Sequence, residues 1–308
     1  MNVVKGILFK LASALMFAVM SALVRWLGEA VPVGQIVFFR SVFAVLAVVI
    51  IYAMTGELAA ALRTGRPLGH VGRGFLGVAG MFLSFAALAR LPLAEATAIS
   101  FAGPFITVAL AALLLKERVR IYRWSAVGVG FVGVVVMLAP HLDVGHLSAG
   151  HTPAQTVGAL LAFTAAFSNA AAVIQTRRLT DTETTSAIVL YFSLVCAVVG
   201  LLTLPFGWQA PTPWQLTALI SIGVLGGLGH LLLTESYRHA PASLVAPFDY
   251  TAILWAFLLG YAVFGEVPVK VVFVGAGIVV AAGLFVLWRE RQLGLRRARE
   301  AESPPPGA

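Results

Sequence analysis

Ten apolar stretches, each close to membrane thickness in length, follow one another along this chain with short polar breaks between them. A spanning helix needs about 20 apolar residues. On that template the spans fall at about 5–27, 35–54, 71–90, 93–115, 123–139, 154–178, 184–206, 214–237, 242–264 and 268–288. Pro92, Pro153, Pro213, Pro241 and Pro268 stand at or near helix starts, where a missing N–H costs nothing. Gly56, Gly65 and Gly69 mark one loop and Gly145 and Gly150 another. The pattern predicts an all-α membrane protein.

The stretch from Gly74 to Glu117 is written twice. At an offset of 149 residues, Gly74, Gly77 and Gly80 meet Gly223, Gly226 and Gly229, Pro92 meets Pro241, and Glu117 meets Glu266. A weaker echo at an offset of 152 pairs Gly6, Leu8, Arg25 and Leu27 with Gly158, Leu160, Arg177 and Leu179. Ten spans divide into two fives, and because five is odd the second half enters the membrane from the opposite side. The expected organisation is a first repeat over 1–139, a loop over 140–153, a second repeat over 154–288 and a disordered cytoplasmic tail over 289–308. Inverted repeats of this kind build transporters whose substrate lies near the midplane between the halves.

Composition sharpens this picture. The chain is 60% hydrophobic and 11% charged, with a mean hydropathy of +0.94, whereas a soluble domain carries about 25% charged residues. The net charge of +8 does not indicate nucleic acid, because no basic face with interleaved aromatics exists. Lys5, Arg63, Arg66, Arg73, Lys116, Arg118, Arg120, Arg123, Arg177, Arg178, Arg238 and the tail arginines fall on one side of the ten spans. The positive-inside rule then places both termini in the cytoplasm of a bacterial inner membrane protein. A full-length first span with no cleavage site reads as a retained helix. A lone Cys196 allows no disulfide. No nucleotide-binding loop, catalytic elbow or cofactor fingerprint is present, so neither ATP hydrolysis nor a cofactor is expected within the chain.

The segments Leu91-Pro92-Leu93-Ala94-Glu95-Ala96-Thr97 and Leu115-Lys116-Glu117-Arg118-Val119, with Arg123-Trp124 and glycines 128, 130 and 133, resemble the drug/metabolite transporter superfamily, EamA type. Ala246-Pro247-Phe248-Asp249-Tyr250 and Phe264-Gly265-Glu266-Val267-Pro268 are similar to the same pattern. The resemblance implies ten helices in two inverted five-helix repeats and export of metabolites, with amino acids the first class. One position departs from symmetry: Arg40 pairs with Phe192 at the 152 offset, so a role for Arg40 belongs to one half.

Candidate site residues are polar or aromatic groups at membrane depth, each costing about 3 kcal/mol or more if charged and unpartnered. His230, Thr234 and Tyr237 share a face of span 8, with Glu235 beside it; Asp249 and Tyr250 follow Pro247 in span 9; Ser100 is the mate of Asp249, with Pro104 nearby; Ser168 and Asn169 lie mid-span. Each either bridges the bundle or faces a cavity. For a zwitterionic substrate, Asp249 would accept from the ammonium, His230 and Asn169 would meet the carboxylate, and Tyr250 and Trp255 would cover the apolar part. Phe101, Phe105 and Phe167 would add to the aromatic lining. The glycines 77, 80, 226 and 229 give either static packing or a sliding surface. Glu117 and Glu266 are expected to anchor the turns into spans 5 and 10 by accepting N–H bonds. Arg25 and Arg40 either snorkel or bind a carboxylate. His141, Asp143, His146 and His151 match no tight metal template.

The function expected is a secondary transporter exporting a small metabolite, most plausibly an amino acid, by alternating access. Its partners would be that substrate and membrane lipid, in a monomer or homodimer. A drug or polycation exporter, an intramembrane enzyme using His230 and a serine, and a non-transporting scaffold are the alternatives.

Overall fold

The computed structural model describes residues 3–28, 30–54, 56, 58–116, 119–141, 153–180, 182–240 and 242–302. Glu117, Asp143, His146 and His151 lie outside them. Among the described residues there are thirteen α-helices: α1 (Val3–Leu27), α2 (Val33–Met54), α3 (Leu58–Leu62), α4 (Pro67–Leu88), α5 (Leu93–Ser100), α6 (Ala102–Leu114), α7 (Ile121–Leu138), α8 (Pro153–Thr180), α9 (Thr185–Leu202), α10 (Pro213–His239), α11 (Ala242–Val245), α12 (Thr251–Phe264) and α13 (Lys270–Glu302). Among the described residues no strand occurs. Among the described residues seven spans are long and apolar enough to cross a membrane, counting α5 and α6 as one, and three shorter apolar segments, Val33–Ala47, Ala187–Leu202 and Phe248–Phe264, take the second, seventh and ninth places. The protein is an all-α membrane protein.

Local chemistry sets many boundaries. Pro67 and Pro213 open their helices, and Thr212 with Gln215 forms a complete capping box at the start of α10. Expected spans 4 and 9 are each broken at the same place. The fourth divides at Phe101 into α5 and α6, leaving Pro104 in the first turn of α6, where its missing N–H is harmless. The ninth passes through a 3₁₀ turn at Ala246–Tyr250 that contains Pro247. Phe101 and Tyr250 are mates at the 149 offset, and their rings stack on one another at 5.1 Å. Both broken helices end in a left-handed residue, Lys116 at φ 53° and its mate Gly265 at φ 65°. Only glycine takes that conformation without steric cost. Residues 289–302, expected as a disordered end, continue α13 instead. The run is rich in Arg, Glu and Leu, good helix formers, until Ser303 and the prolines behind it.

Packing repeats as the sequence does. Span 1 lies on span 8 and span 3 on span 6; span 2 meets spans 7 and 8, while span 7 meets span 3; span 5 pairs with span 10. Exchanging the halves maps this set onto itself. The glycine contacts match residue by residue: a Cβ on Gly6 would strike Ala240, and on Gly158 the mate pair Leu91. Gly74 faces Val195 as Gly223 faces Phe43, Gly77 faces Phe192 as Gly226 faces Arg40, and Gly80 faces Asn169 as Gly229 faces Phe17. Each partner is displaced by 152 residues from its counterpart. Without side chains these backbones approach closely, and in lipid such packing is a main attraction between helices. Val129, Val132, Val135, Leu254 and Leu258 point outward, as residues facing acyl chains would.

Candidate functional site

A cavity of about 290 Å³ opens between spans 1, 3, 4, 6 and 9. Phe17, Met20, Phe85, Leu88, Phe101 and the alanines of α8 supply most of its wall. Its polar groups are all neutral: Ser21, Ser84, Thr97, Ser100 and Asn169. The Ser100 hydroxyl donates to the Thr97 carbonyl at 2.6 Å. Asn169 holds its amide over Gly80, in the volume a side chain there would fill.

Beside the Leu88 wall of the cavity, the end of α1 is held by an ion pair. We call the side holding residues 27, 89 and 266 the far face and the side where α1 begins the near face. Arg25 donates from Nε and Nη2 to Glu266 Oε1 at 3.1 and 3.0 Å, and from Nη1 to the carbonyls of Ala89 and Leu88 at 2.9 and 3.4 Å. Glu266 Oε2 accepts the N–H of Leu93 at 2.8 Å. One ion pair thus ties the ends of spans 1, 3 and 9 to the start of span 4. Glu266 was expected to serve the turn into span 10, and Arg25 either to snorkel or to bind a substrate carboxylate. Instead the carboxylate satisfies an orphan N–H at the start of α5, where a helix terminus favours an anion, and the guanidinium follows it.

At the near face the loops are clasped differently. Glu183 Oε1 accepts the N–H of Gly65 at 2.9 Å, and Oε2 lies 3.3 Å from His70 Nε2. Burial alone would raise this carboxyl's pKa, but hydrogen bonds from His70, Gly65 and Thr64 together hold it below the usual value.

Beneath the cavity, at the level of Gly77 and Gly226, are two guanidinium groups. Arg40 is 9% exposed. Its Nη1 lies 3.7 Å from Met81 Sδ, and its Nε, 3.6 Å from where a Gly226 Cβ would stand, has no hydrogen-bond partner among the described residues. Arg73 donates from Nε to Thr176 Oγ1 at 3.0 Å, and its guanidinium lies 3.9 Å over the Phe192 ring. Its Nη1 rests 2.5 Å from a Gly77 Cβ position and also has no partner there. Among the described residues neither arginine meets a carboxylate. Each unsatisfied buried donor costs about 1–3 kcal/mol, and more when charged. Cys196 and His230 lie within electrostatic reach of both arginines.

The expected site residues are therefore dispersed. Asn169 and Ser100 line the cavity. Ser168 instead donates to the Leu76 carbonyl at 2.8 Å, joining spans 6 and 3. His230 lies edge-on to Phe17 at 5.0 Å, outside the cavity lining. Asp249 does not offer a free acceptor for an ammonium: its carboxylate is 2.7 Å from the amine of Lys10, which is 2% exposed. A buried lysine requires a counter-ion, and Asp249 supplies it. Trp255 lies outside the cavity lining, and its buried Nε1 has no hydrogen-bond partner among the described residues. Tyr250 reaches Gly283 with its hydroxyl. Phe105 packs on Gly130, and Phe167 is exposed. The side chains of Thr234 and Tyr237 lie outside the described part of the structure. Arg73, counted in the sequence only as a near-face charge, is the residue missed. The available signal was Phe192 in the place of an Arg40 mate: an aromatic ring at that depth invites a cation from elsewhere.

Comparison with known proteins agrees with this architecture. A family model described as the EamA-like transporter family matches twice, over residues 4–139 and 156–288. The chain belongs to the EamA-like transporter family. It is 29% identical over 287 residues to an S-adenosylmethionine uptake transporter of Rickettsia prowazekii, covering 93% of this chain and 94% of that protein. A riboflavin transporter of Rhizobium johnstonii is 30% identical over 301 residues, covering 96% and 94%. A pseudopaline exporter of Pseudomonas aeruginosa is 30% identical over 283 residues, covering 90% and 94%. One solved crystal structure superposes with a TM-score of 0.64 at 18% identity, covering 94% and 98%, which speaks to the fold alone. The chain is thus a metabolite transporter of this family and not an enzyme. The relatives' names include both uptake and export, so membership does not carry the expected direction.

Proposed function

We propose that this chain is an inner-membrane secondary transporter that moves amino acids, or small metabolites carrying an amino-acid group, by alternating access between its two halves. The near face and both termini are cytoplasmic in this reading, and export is the working direction. The observation that carries it is the 290 Å³ cavity, set among groups from both halves, with the Arg25–Glu266 pair beside its Leu88 wall. This volume is at the small end of the ~300–1,000 Å³ usual for small-molecule sites, which suits an amino acid better than a drug. The neutral hydroxyls and amide of the wall also disfavour a polycation, which would need carboxylates. One relative named above handles S-adenosylmethionine, a compound that contains an amino-acid group.

Counterflow into proteoliposomes loaded with a mixed amino-acid pool, using labelled amino acids outside, tests the reading. Saturable counterflow of at least one amino acid supports it. Counterflow confined to bulky cationic drugs would overturn it, as would none from folded protein.

A further inference from the structure

We infer that Arg40 and Arg73 together form the binding site for an oxyanion of the transported metabolite, a carboxylate or phosphate, below the neutral cavity. The inference rests on the reading of the chain as a metabolite carrier and adds the charge class of its cargo.

Arg40 and Arg73 come from different spans but converge on one face of α4. Arg73 Nη1 lies at Gly77 and Arg40 Nη1 at Met81, four residues further. Four residues are about 6 Å of helical rise, so the two contact points are one turn apart. Two like charges at such spacing, without a carboxylate among the described residues, raise each other's cost. A guest anion between them removes both the repulsion and the unmet donors, and the guanidinium fork suits an oxyanion.

The duplicated scaffold shows how the place was made. Gly77 and Gly226 are equivalent, and the positions facing them are Phe192 and Arg40, also equivalent. In one half the guanidinium comes from the facing helix. In the other, phenylalanine stands there and Arg73 stacks on it, bringing its own guanidinium to the matching glycine. Both glycine cradles thus hold a cation, supplied by two routes. If the small-residue stripe served close packing alone, it would not need an unpartnered donor at either level.

Met20 stands between the neutral cavity and this centre. It lines the cavity and also stands beside Arg40 at Gly226, and Asn169 lies one turn along α4 from Gly77. A metabolite whose oxyanion reaches the arginines therefore places its remaining atoms among Asn169, Ser84 and Thr97.

The test uses the full chain in phosphatidylcholine nanodiscs, with thermal unfolding as the readout. The probes are L-methionine, L-phenylalanine, S-adenosylmethionine, succinate and inorganic phosphate, and the carboxamides methioninamide, phenylalaninamide and succinamide. At least one oxyanion should raise Tm while its carboxamide does not. Arg40→Gln and Arg73→Gln should each weaken that effect at least tenfold, and Arg40→Lys should recover part of it. No stabilisation by any oxyanion overturns the inference, as do carboxamides that bind equally or an Arg40→Gln variant that binds unchanged. A shift produced by added phosphatidylglycerol and by no soluble anion assigns the arginines to lipid and also overturns it. The carboxamide comparison is made on the unaltered chain, so it stands even where a variant does not fold. Counterflow of carboxamides that equals or exceeds that of the acids would refute the anion site while leaving the carrier reading intact. No counterflow of any compound from folded protein would instead refute the carrier reading.

Discussion

Removing the Glu266 carboxylate should open the far face. In Glu266→Ala, Arg25 loses two hydrogen bonds, those from Nε and Nη2, and the Leu93 N–H loses its acceptor. A hydrogen bond to a charged group contributes about 1.5–3 kcal/mol when shielded. These side chains are 24% and 14% exposed, and water replaces part of each lost contact. A net of about 2 kcal/mol in favour of the closed far face is therefore reasonable, which is roughly a thirtyfold change in the closed-to-open ratio. The reporter is Ser84→Cys, placed in the cavity wall, in a Cys196→Ala background, since the native cysteine is fully buried. Its rate of modification by a membrane-impermeant thiol reagent applied to the far face should rise about ten- to thirtyfold, following the open population. Arg25→Gln should reproduce the increase, and the double variant should add little, because both substitutions remove one interaction. Unchanged rates in both single variants would refute the idea that this ion pair closes the cavity.

Four further outcomes follow from the same structure. Asp249→Asn should lower thermal stability by about 1–3 kcal/mol, because it removes the half-exposed carboxylate paired with the buried Lys10 amine, and adding Lys10→Met should restore most of it; an intact Tm in Asp249→Asn alone would refute the pairing. Lys116→Gly should raise stability by about 0.5–1 kcal/mol, since relief of left-handed strain exceeds the added freedom of the unfolded chain; a lower Tm would contradict it. Gly77→Leu, whose side chain would collide with Phe192 and the Arg73 guanidinium, should abolish counterflow with insertion retained, and normal counterflow would exclude close packing there. Glu183 has a depressed folded-state pKa, so its contribution is fully present above the unfolded value of about 4.3 and is lost as pH falls through the folded value; acid titration of Tm should therefore show a loss below about pH 4 that Glu183→Gln removes.

The ten spans were legible because membrane depth imposes a length on apolar runs, and the duplication because glycine and proline mark backbone geometry. The offsets of 149 and 152 paired equivalent positions, while which residue faces which glycine is seen only in the structure. Side-chain partnership was not legible at the same level. Asp249 looked like a substrate acceptor because nothing in its own span neutralises it; its partner Lys10 comes from span 1, and no periodicity links two residues so far apart in sequence. Glu266 was assigned to the adjacent turn for the same reason, while its true partners are Arg25 and Leu93. Arg73 was absorbed into the count of near-face charges, since a long side chain on the second turn of a helix can lie along it toward the middle. Asn169 and Ser100, singled out by depth, do line the cavity, whereas Ser168, singled out on the same ground, donates to the Leu76 carbonyl instead.

The central claim is that the two halves move oppositely about the cavity between them. The repeat supplies matched probe positions: Ala30 and Thr212 on the far face correspond to Thr182 and Arg63 on the near face, and all four are exposed. Spin labels on the Ala30/Thr212 pair and, separately, on the Arg63/Thr182 pair give two distance distributions by pulsed electron resonance, without and with a transported amino acid. The account predicts anticorrelated change, one pair widening while the other narrows. Distances that both stay fixed, or that widen together, would contradict it.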